Sequence, residues 1–250
     1  MNFELRKQHL LARLEQQGSV EVADLAAELS TTPITIRRDL TQLAASGLVV
    51  RTHGGAVLPR VAKDPVAFAR KATAHQAHKA HICRLAAAQI AAGDTIFIDC
   101  GSTTLPLCPL IRHLRIRVIT NSLPVLAELV GSAVQVVIAG GEVDAERQAV
   151  HGALAVEHLR RYRVDKAFLG VDGLSLARGL SANSEQEASI SLAVAAGAAH
   201  VYLLCDASKL EQDKYLQFAP LSVVGTLVTD PAAPPELLAR YREAGLRVLA

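Results

Sequence analysis

Apolar positions in the first 57 residues recur at the spacing of short helices. Three stretches each carry apolar residues at intervals of three or four, which is the period of an amphipathic helix. These apolar faces consist of Leu10, Leu11 and Leu14, of Leu25, Ala26 and Leu29, and of Ile36, Leu40 and Leu43. Gly18 and the segment 30–33 separate the three predicted helices. Two short apolar runs, 48–52 and 56–58, then flank a glycine pair and predict a β-hairpin.

The pattern changes twice after the predicted hairpin. Residues 58–74 carry two prolines among charged side chains and little apolar periodicity, which is typical of a linker. From residue 75 onward, strand-like apolar runs alternate with helical stretches rich in Ala and Leu. The runs are 95–98, 118–120, 134–139, 167–171, 201–205 and 223–228. This alternation predicts a Rossmann-like α/β domain with a mostly parallel sheet over residues 75–250, preceded by a small helical domain over residues 1–57.

Composition narrows the class of protein. Half of the 250 residues are apolar, so each domain can bury a core, and the net charge of only +2 gives no global basic field. No apolar run approaches the roughly 20 residues of a membrane span, and the N-terminus lacks the core of a signal peptide. We therefore expect a cytoplasmic protein without a membrane partner. The four cysteines form no C-x-x-C pair, and we expect them to be buried, reduced thiols.

The third predicted helix presents a polar face that suits contact with DNA. Because its apolar residues face inward, helical geometry turns the remaining side chains outward or to the flank. The candidate contacts are Thr35, Arg37, Arg38, Thr41 and Gln42, with Ile34 leaning outward at the start. Arginine reads guanine in two hydrogen bonds, glutamine reads adenine, and threonine suits a base or a phosphate. Arg51 and His53 in the hairpin are candidates for a phosphate or minor-groove contact as a wing. A solvated face on an ordinary three-helix domain is the alternative.

A longer motif favours the DNA-binding interpretation. Residues 35–40 read Thr-Ile-Arg-Arg-Asp-Leu, and residues 51–56 read Arg-Thr-His-Gly-Gly-Ala, with Gly47-Leu48 between them. In order, spacing and position these residues resemble the signature of DeoR-type bacterial transcription regulators. The resemblance implies a winged helix-turn-helix domain that binds double-stranded operator DNA. Thr31 and Thr32, which stand where the family usually has a Val-Ser pair, complete the candidate DNA contacts.

Polar residues gather where the predicted parallel strands end. Ligands bind outside the carboxyl ends of such strands, so these positions are informative. The strands end in Asp99, Asn121, Gly140-Gly141, Asp172 and Asp206. The first end continues into a helical stretch through Gly101, Ser102, Thr103 and Thr104. Glycine permits close approach, hydroxyls form hydrogen bonds and a helix start favours an anion, so we interpret this loop as a phosphate cradle. An ordinary strand-to-helix turn with an N-cap is the alternative.

Charged residues in two other loops complete the predicted ligand site. Lys209 follows Asp206 after a buried strand, where its ammonium suits a phosphate and the carboxylate suits hydroxyl groups. Asp172 and Glu185 are further candidate acceptors for hydroxyls. The alternatives are a surface lysine at position 209 and a first-turn helical residue at position 185.

The same strand ends resemble the effector domain of DeoR-type regulators, which is similar in fold to ribose-5-phosphate isomerase. The matching segments are 99–104, 120–122, 140–141, 166–170 with 172–173, and 206–209, together with Lys79 ahead of the first strand. The resemblance implies a phosphorylated sugar or related metabolite as effector and a homodimer or homotetramer. It also implies a repressor of a sugar operon, released from its operator by the effector, rather than an enzyme.

Two other functions, an enzyme and a metal site, have weaker support in the sequence than a regulator. A sugar-phosphate isomerase-like enzyme with an appended DNA-binding domain would use Asp99, Asp172 or Glu185 as its base, but a winged domain has no use in an enzyme. His75, His78 and His81 spread around a solvated helix face, and neither a cysteine nor a carboxylate completes a metal site with them. We therefore expect no metal and no cofactor.

Overall fold

The computed structural model describes residues 3–17, 19–29, 31–46, 48–51, 54–57 and 75–250. The chain divides into two units, one within residues 1–66 and the other within residues 67–250. The predicted linker, 58–74, lies outside the described residues. The described part of the first unit consists of helices and short antiparallel strands, and the second unit is an α/β domain.

The first unit holds three helices and three short strands within its described residues. The helices are α1 Phe3–Gln17, α2 Val22–Glu28 and α3 Pro33–Ala45, and the strands are β1 Ser19–Glu21, β2 Val50–Arg51 and β3 Gly55–Val57. β3 lies between β1 and β2, and both pairings are antiparallel. The structure confirms the three predicted helices and the hairpin. β1 was not predicted, because a strand of three residues carries too little alternation to be recognised.

The three predicted apolar faces meet in one core. The large side chains that are fully buried there are Leu10, Leu14, Leu25, Ile36, Leu40 and Leu43. Leu11 and Leu29 pack against this core but are only partly buried. Burying a leucine or isoleucine side chain contributes about 1.5–3 kcal/mol, so these six residues hold α1, α2 and α3 together.

Within residues 75–250, the second unit is built on twelve strands and six helices. The strands are β4 Thr95–Ile98, β5 Arg117–Thr120, β6 Gln135–Ile138, β7 Glu142–Asp144, β8 Ala149–His151, β9 Val164–Leu169, β10 Gly173–Ser175, β11 Gly179–Ala182, β12 Ala198–Leu204, β13 Leu216–Ala219, β14 Thr226–Val228 and β15 Arg247–Leu249. The helices are α4 Gln76–Ala87, α5 Cys108–Ile111, α6 Leu123–Leu129, α7 Ala153–Arg160, α8 Glu185–Ala195 and α9 Pro235–Glu243, with 3-10 turns at Leu105–Leu107, Ala207–Lys209 and Leu221–Val223.

Seven of these strands form one parallel sheet in the order β15-β14-β12-β9-β4-β5-β6. Residues of alternating parity face two different clusters of apolar side chains, so Phe97 packs on one face while Ile96 and Ile98 pack on the other. Helices α7, α8 and α9 cover the first face, and α4, α5 and α6 cover the second. Strands buried on both faces read as continuous apolar runs. All six predicted runs accordingly fall on strands of this sheet, and the predicted fold class is confirmed.

The strands that the sequence did not predict are the short and irregular ones. β7 and β8 form an antiparallel hairpin, and β10, β11 and β13 form a small antiparallel sheet. β15 adds a three-residue edge to the main sheet. The predicted run 223–228 also begins too early, because its start belongs to a 3-10 turn and β14 begins at Thr226. Strands of three or four residues with mixed polarity give no clear period.

Candidate functional site

Helix α3 begins at a threonine cap. The Thr32 side-chain oxygen accepts a hydrogen bond from the Thr35 N–H at 3.3 Å, and Pro33 occupies the first position of the helix. Such a cap satisfies a helical N–H that would otherwise lack a partner. The Thr31 N–H donates to the Ala26 carbonyl at 2.9 Å, which fixes the turn between α2 and α3. Both predicted DNA contacts in this turn therefore also take part in shaping it.

The outward face of α3 carries the other predicted contact residues. Ile34, Arg37, Arg38, Thr41 and Gln42 are exposed, and Thr35 is half-buried. Ile34 is 75% exposed, which suits an apolar contact with a thymine methyl group better than a place in the core. The placement agrees with the helical geometry that the sequence predicts, and the assignment of each residue to a base or phosphate stays a prediction.

Arg51 of β2 reaches back to α3. Its Nη1 donates to the Arg37 carbonyl and to Thr41 Oγ1, each at 2.9 Å. Thr41 Oγ1 also donates to the Arg37 carbonyl, at 2.8 Å. Arg51 thus ties the hairpin to the middle of α3, a role the sequence did not predict alongside its expected phosphate contact. His53, the other predicted wing residue, lies outside the described residues.

A buried ion pair joins α1 to α3. Asp39 is 4% exposed, and its carboxylate accepts hydrogen bonds from Arg6 Nε at 2.6 Å and from Arg6 Nη2 at 3.0 Å. The hydrogen bond to this carboxylate raises the pKa of Arg6. Two parallel charge-assisted bonds fix the relative orientation of their two elements. Asp39 in the Arg-Arg-Asp motif therefore faces the interior and positions α3, while the two arginines face outward.

In the second unit, a cavity opens at the carboxyl ends of β4 and β9. These strands are neighbours at the centre of the sheet, and strand order runs outward from them in opposite directions. Such a reversal leaves a crevice where the strands end. The floor is formed by residues 99–103 after β4 and 170–172 after β9. The walls are formed by Glu146, Arg147, Ala182, Glu187, Ala188, Ser191, Lys209 and Phe218.

Asp99 connects the two loops of the floor. Its Oδ2 accepts a hydrogen bond from the Gly170 N–H at 3.0 Å, and its Oδ1 accepts one from the Cys100 N–H at 2.8 Å. Burial raises the pKa of Asp99, and these backbone hydrogen bonds act in the opposite direction. Because both carboxylate oxygens accept from the backbone, the side chain holds the ends of β4 and β9 together.

The loop after β4 has the composition and bonding of an anion-binding loop. Thr104 closes it, since its Oγ1 donates to the carbonyls of Asp99 and Gly101 at 2.7 Å each. Within the described residues, no group accepts from the N–H groups of Gly101, Ser102 or Thr103. Three consecutive unpaired N–H groups near a hydroxyl favour a bound anion. From behind the loop, Lys79 Nζ donates to Ser102 Oγ at 3.1 Å.

Lys209 approaches the cavity from the turn after β12. Its Nζ lies 3.9 Å from Asp206 Oδ2, and its side chain is partly exposed to the cavity. Asp206 itself is buried and accepts a hydrogen bond from the Ser208 N–H at 3.1 Å, so it shapes the turn. Asp206, predicted as a ligand contact, therefore does not line the cavity, whereas Lys209 does.

Comparison with known protein families gives the identity of both units. Residues 6–61 match the DeoR-like helix-turn-helix domain, and residues 74–231 match the DeoR C terminal sensor domain. The chain belongs to the DeoR family of transcription regulators. The resemblance drawn from the sequence motifs is thereby confirmed.

Relatives in this family match along most of their length. The glycerol-3-phosphate regulon repressor of Escherichia coli K12 is 33% identical over 92% of this chain and 91% of its own. The HTH-type transcriptional repressor GlcR of Bacillus subtilis is 31% identical over 88% and 86%, and the L-fucose operon activator of Haemophilus influenzae is 30% identical over 95% of each chain. Among solved structures, ribose 5-phosphate isomerase A from Methanocaldococcus jannaschii aligns with 55% of this chain and 55% of its own at 21% identity and a TM-score of 0.41.

Several residues predicted to bind the effector of this DeoR-family chain do not line the cavity. Asn121 is fully buried, and its side-chain amide donates to the Val150 carbonyl at 3.2 Å. Glu185, the first residue of α8, lines a separate groove between α7 and α8. Lys79 and Thr104 stand behind the cradle loop rather than in the cavity wall. Asp99, Gly101, Ser102, Thr103, Asp172 and Lys209 are the predicted residues that the fold brings together.

Packing requires a glycine at the second position of the pair after β6. The Gly140 N–H donates to His158 Nδ1 at 3.1 Å. Gly141 has a φ of +151°, and a Cβ built there would lie 2.5 Å from the His151 carbonyl oxygen. Neither glycine lines the cavity, and the structure accounts for Gly141 without a ligand.

Sequence reasoning missed one charged wall of the cavity. Arg147, in the turn between β7 and β8, forms an ion pair with Glu187 of α8, and Glu146 stands beside it in the wall. A signal for Glu187 exists, because Ser184 and Glu187 have the spacing of a capping box and the Glu187 N–H donates to Ser184 Oγ at 3.4 Å. No comparable signal marks Arg147, since its hairpin was not predicted.

His151, at the end of β8, is a buried polar residue. The side chain is 1% exposed, and neither Nδ1 nor Nε2 has a hydrogen-bond partner among the described residues. Burial lowers the pKa of His151, and the nearby carboxylates of Asp144 and Asp99 oppose that effect. Burial therefore favours the neutral form of this imidazole.

The remaining candidate chemistry is structural. All four cysteines are free and buried, and burial raises the pKa of Cys83, Cys108 and Cys205 to about 12. His78 Nδ1 lies 3.0 Å from the buried carboxylate of Asp230. The described part of the chain contains no group of three or more metal-ligating side chains, and none of its helices is long and apolar enough to cross a membrane.

Proposed function

We propose that this DeoR-family regulator is an operator-binding repressor that a phosphorylated sugar, bound in the cavity, releases from DNA. One observation carries the proposal. At the reversal point of the sheet, residues 101–103, whose N–H groups have no acceptor among the described residues, line one cavity together with Lys209 and several carboxylates. A relative named for the glycerol-3-phosphate regulon supports an effector of this class.

The phosphate of the effector binds the loop after β4. Its oxygens accept from the N–H groups of residues 101–103 and from the Ser102 hydroxyl, and the Lys209 ammonium adds a charge-assisted bond. Lys79 supports Ser102 from behind, so it positions the hydroxyl rather than contacting the phosphate. The Asp172 carboxylate accepts a hydrogen bond from a hydroxyl of the sugar. Its Oδ2 also accepts a hydrogen bond from the Asn183 N–H at 2.9 Å, which fixes its orientation.

The DNA site is the exposed face of α3. Arg37, Arg38 and Gln42 are the candidates for base contacts, and Thr35 and Thr41 suit bases or phosphates. One such helix reads only a few base pairs, so two copies reading paired half-sites are expected in a homodimer or homotetramer. Catalysis is not part of the proposal, because relatives that match along most of this chain are named as repressors.

The test is a pair of titrations on purified full-length Lys209→Ala. Sugar monophosphates are titrated by calorimetry, and operator DNA selected from a random pool is titrated by anisotropy with and without the best monophosphate. Losing one charge-assisted bond of about 1.5–3 kcal/mol should weaken effector binding roughly ten- to a hundredfold. Operator binding without effector should equal that of wild type, because Lys209 lies in the other unit.

Lys214→Ala is the matched control, since Lys214 does not line the cavity. It should retain wild-type affinity for both ligands. Wild-type effector affinity in Lys209→Ala would show that Lys209 does not bind the effector. A regulator that binds operator but none of the monophosphates would overturn the effector half of the proposal. Turnover of a monophosphate by the wild-type protein would favour an isomerase-like enzyme instead.

A further inference from the structure

We propose that the ion pair between Arg147 and Glu187 recognises the hydroxyl groups of the effector and so determines its specificity. The inference rests on the proposed function, in which the opposite side of the same cavity holds the phosphate. It concerns a wall that neither the sequence motifs nor the family assignment marks.

The pair is positioned by two independent elements. Arg147 lies in the β7–β8 turn, where Asp144 Oδ1 accepts from the Arg147 N–H at 3.1 Å and Asp144 Oδ2 lies 3.9 Å from Arg147 Nε. Glu187 lies in the first turn of α8, which Ser184 caps. The two side chains meet at the cavity wall, and each is about three-quarters buried. A contact between a turn and a helix start is thus held from both sides.

The charges of the cavity argue for hydroxyl groups at this wall. The cavity is lined by two cations, Arg147 and Lys209, and by four carboxyl groups, those of Asp99, Glu146, Asp172 and Glu187. Lys209 is assigned to the phosphate, and the other cation of the lining, Arg147, is already paired with the Glu187 carboxylate. A second anionic group at Arg147 would place its negative charge next to the Glu187 carboxylate that Arg147 already holds, and repulsion between like charges is costly in a partly buried site.

Hydroxyl groups have no such cost. A guanidinium has five N–H donors and a carboxylate has about four acceptor sites, so an ion pair keeps spare capacity on both partners. Adjacent hydroxyls of a polyol accept from Arg147 and donate to Glu187 without breaking the pair. The effector class that follows is a monophosphorylated polyol or sugar with neighbouring hydroxyls near the end remote from the phosphate.

The experiment separates the two sides of the cavity by using two kinds of probe. Inorganic phosphate reports the loop after β4 alone, while sn-glycerol 3-phosphate and ribose 5-phosphate report the loop together with the hydroxyl wall. Fructose 1,6-bisphosphate tests for a second anionic group. Affinities are measured by calorimetry for wild type, Arg147→Gln and Glu187→Gln. The control is Arg161→Gln, which breaks an exposed Arg161–Glu157 ion pair of 2.5 Å outside the cavity.

In wild type, at least one monophosphate should bind more than tenfold tighter than inorganic phosphate. Both cavity variants should lose most of that advantage, because a tenfold loss of monophosphate affinity corresponds to one or two hydrogen bonds. Both variants should keep an affinity for inorganic phosphate within about twofold of wild type. Retained phosphate affinity also shows that each variant is folded at the cavity. The control should match wild type with every probe.

Three results would overturn the inference while leaving the proposed function intact. The first is an equal loss of inorganic phosphate and monophosphate affinity in Arg147→Gln, which would make Arg147 a phosphate ligand. The second is wild-type selectivity in both variants. The third is tight bisphosphate binding that Arg147→Gln abolishes and Glu187→Gln strengthens, which would assign a second anion to Arg147. Failure of wild type to bind any phosphate compound would overturn the proposed function and this inference together.

Discussion

Replacing Arg51 by alanine tests whether the hairpin acts on DNA directly or through α3. The substitution removes the two 2.9 Å hydrogen bonds from Nη1 to the Arg37 carbonyl and Thr41 Oγ1. A net contribution of about 0.5–1.5 kcal/mol is usual for a hydrogen bond, and two exposed bonds that share one nitrogen should contribute about 1 kcal/mol together. If that energy holds α3 in its DNA-binding position, operator affinity should fall about fivefold.

Salt dependence distinguishes this positioning role from the phosphate contact that the sequence predicted. Each lost phosphate contact should reduce the slope of log K against log salt by about 0.9. We expect Arg51→Ala to weaken operator binding while leaving that slope unchanged, as measured by anisotropy with full-length protein. Arg51→Lys keeps the charge but not the planar fork, so it should behave like alanine. A shallower slope in Arg51→Ala, with wild-type behaviour in Arg51→Lys, would refute the positioning role and make Arg51 a phosphate ligand.

Four further outcomes follow from the structure. Gly141→Ala should lower the melting temperature more than Gly131→Ala, because both glycines have positive φ but only a Cβ at Gly141 meets a backbone atom; equal shifts would contradict the packing argument. Because burial lowers the pKa of His151, the unfolded state binds more protons below about pH 6.5, and the free energy of unfolding should fall as pH falls through that window. The free energy of unfolding, measured with urea at two pH values, should fall less in His151→Gln than in wild type. An identical fall in both proteins would show that His151 does not contribute. In the native protein, none of the four buried cysteines should react rapidly with a thiol reagent at pH 8, whereas all four should react after unfolding; a fast native reaction would indicate an accessible thiol. Arg38→Ala should cost about 1–3 kcal/mol on operator and relax preference at one base pair, and unchanged discrimination would remove Arg38 from base reading.

Local patterns predicted the fold well where burial is complete. Ile36, Leu40 and Leu43 could be assigned to a core because their spacing matches one helical turn, and Phe97 and Phe168 lie in runs that a sheet buried on both faces requires. β7 and β15 could not be found in the same way, because three residues of mixed polarity leave the period undetermined.

The candidate site divides along a similar line. Asp99 and Lys209 lie in the segments that follow β4 and β12, and both could be placed at the cavity from topology alone. Arg147 could not, because its position depends on an unpredicted hairpin and on a partner 40 residues later in the chain. Glu185 was assigned to the site from its loop, yet a shift of two residues along α8 directs Glu187 to the cavity and Glu185 to another groove.

The central pairing of β4 with β9 also bears on how the protein is made. Ile96 pairs with Lys166, so the middle of the sheet joins segments 70 residues apart, whereas residues 3–57 form their unit from neighbouring segments. Contacts between distant segments form slowly, and domains emerging first from the ribosome fold first. At translation rates of about 5–20 residues per second, the DNA-binding unit precedes β9 by on the order of ten seconds. Each new molecule therefore folds its DNA-binding unit before its cavity has formed. Regulation by the effector is among the last properties that the molecule gains.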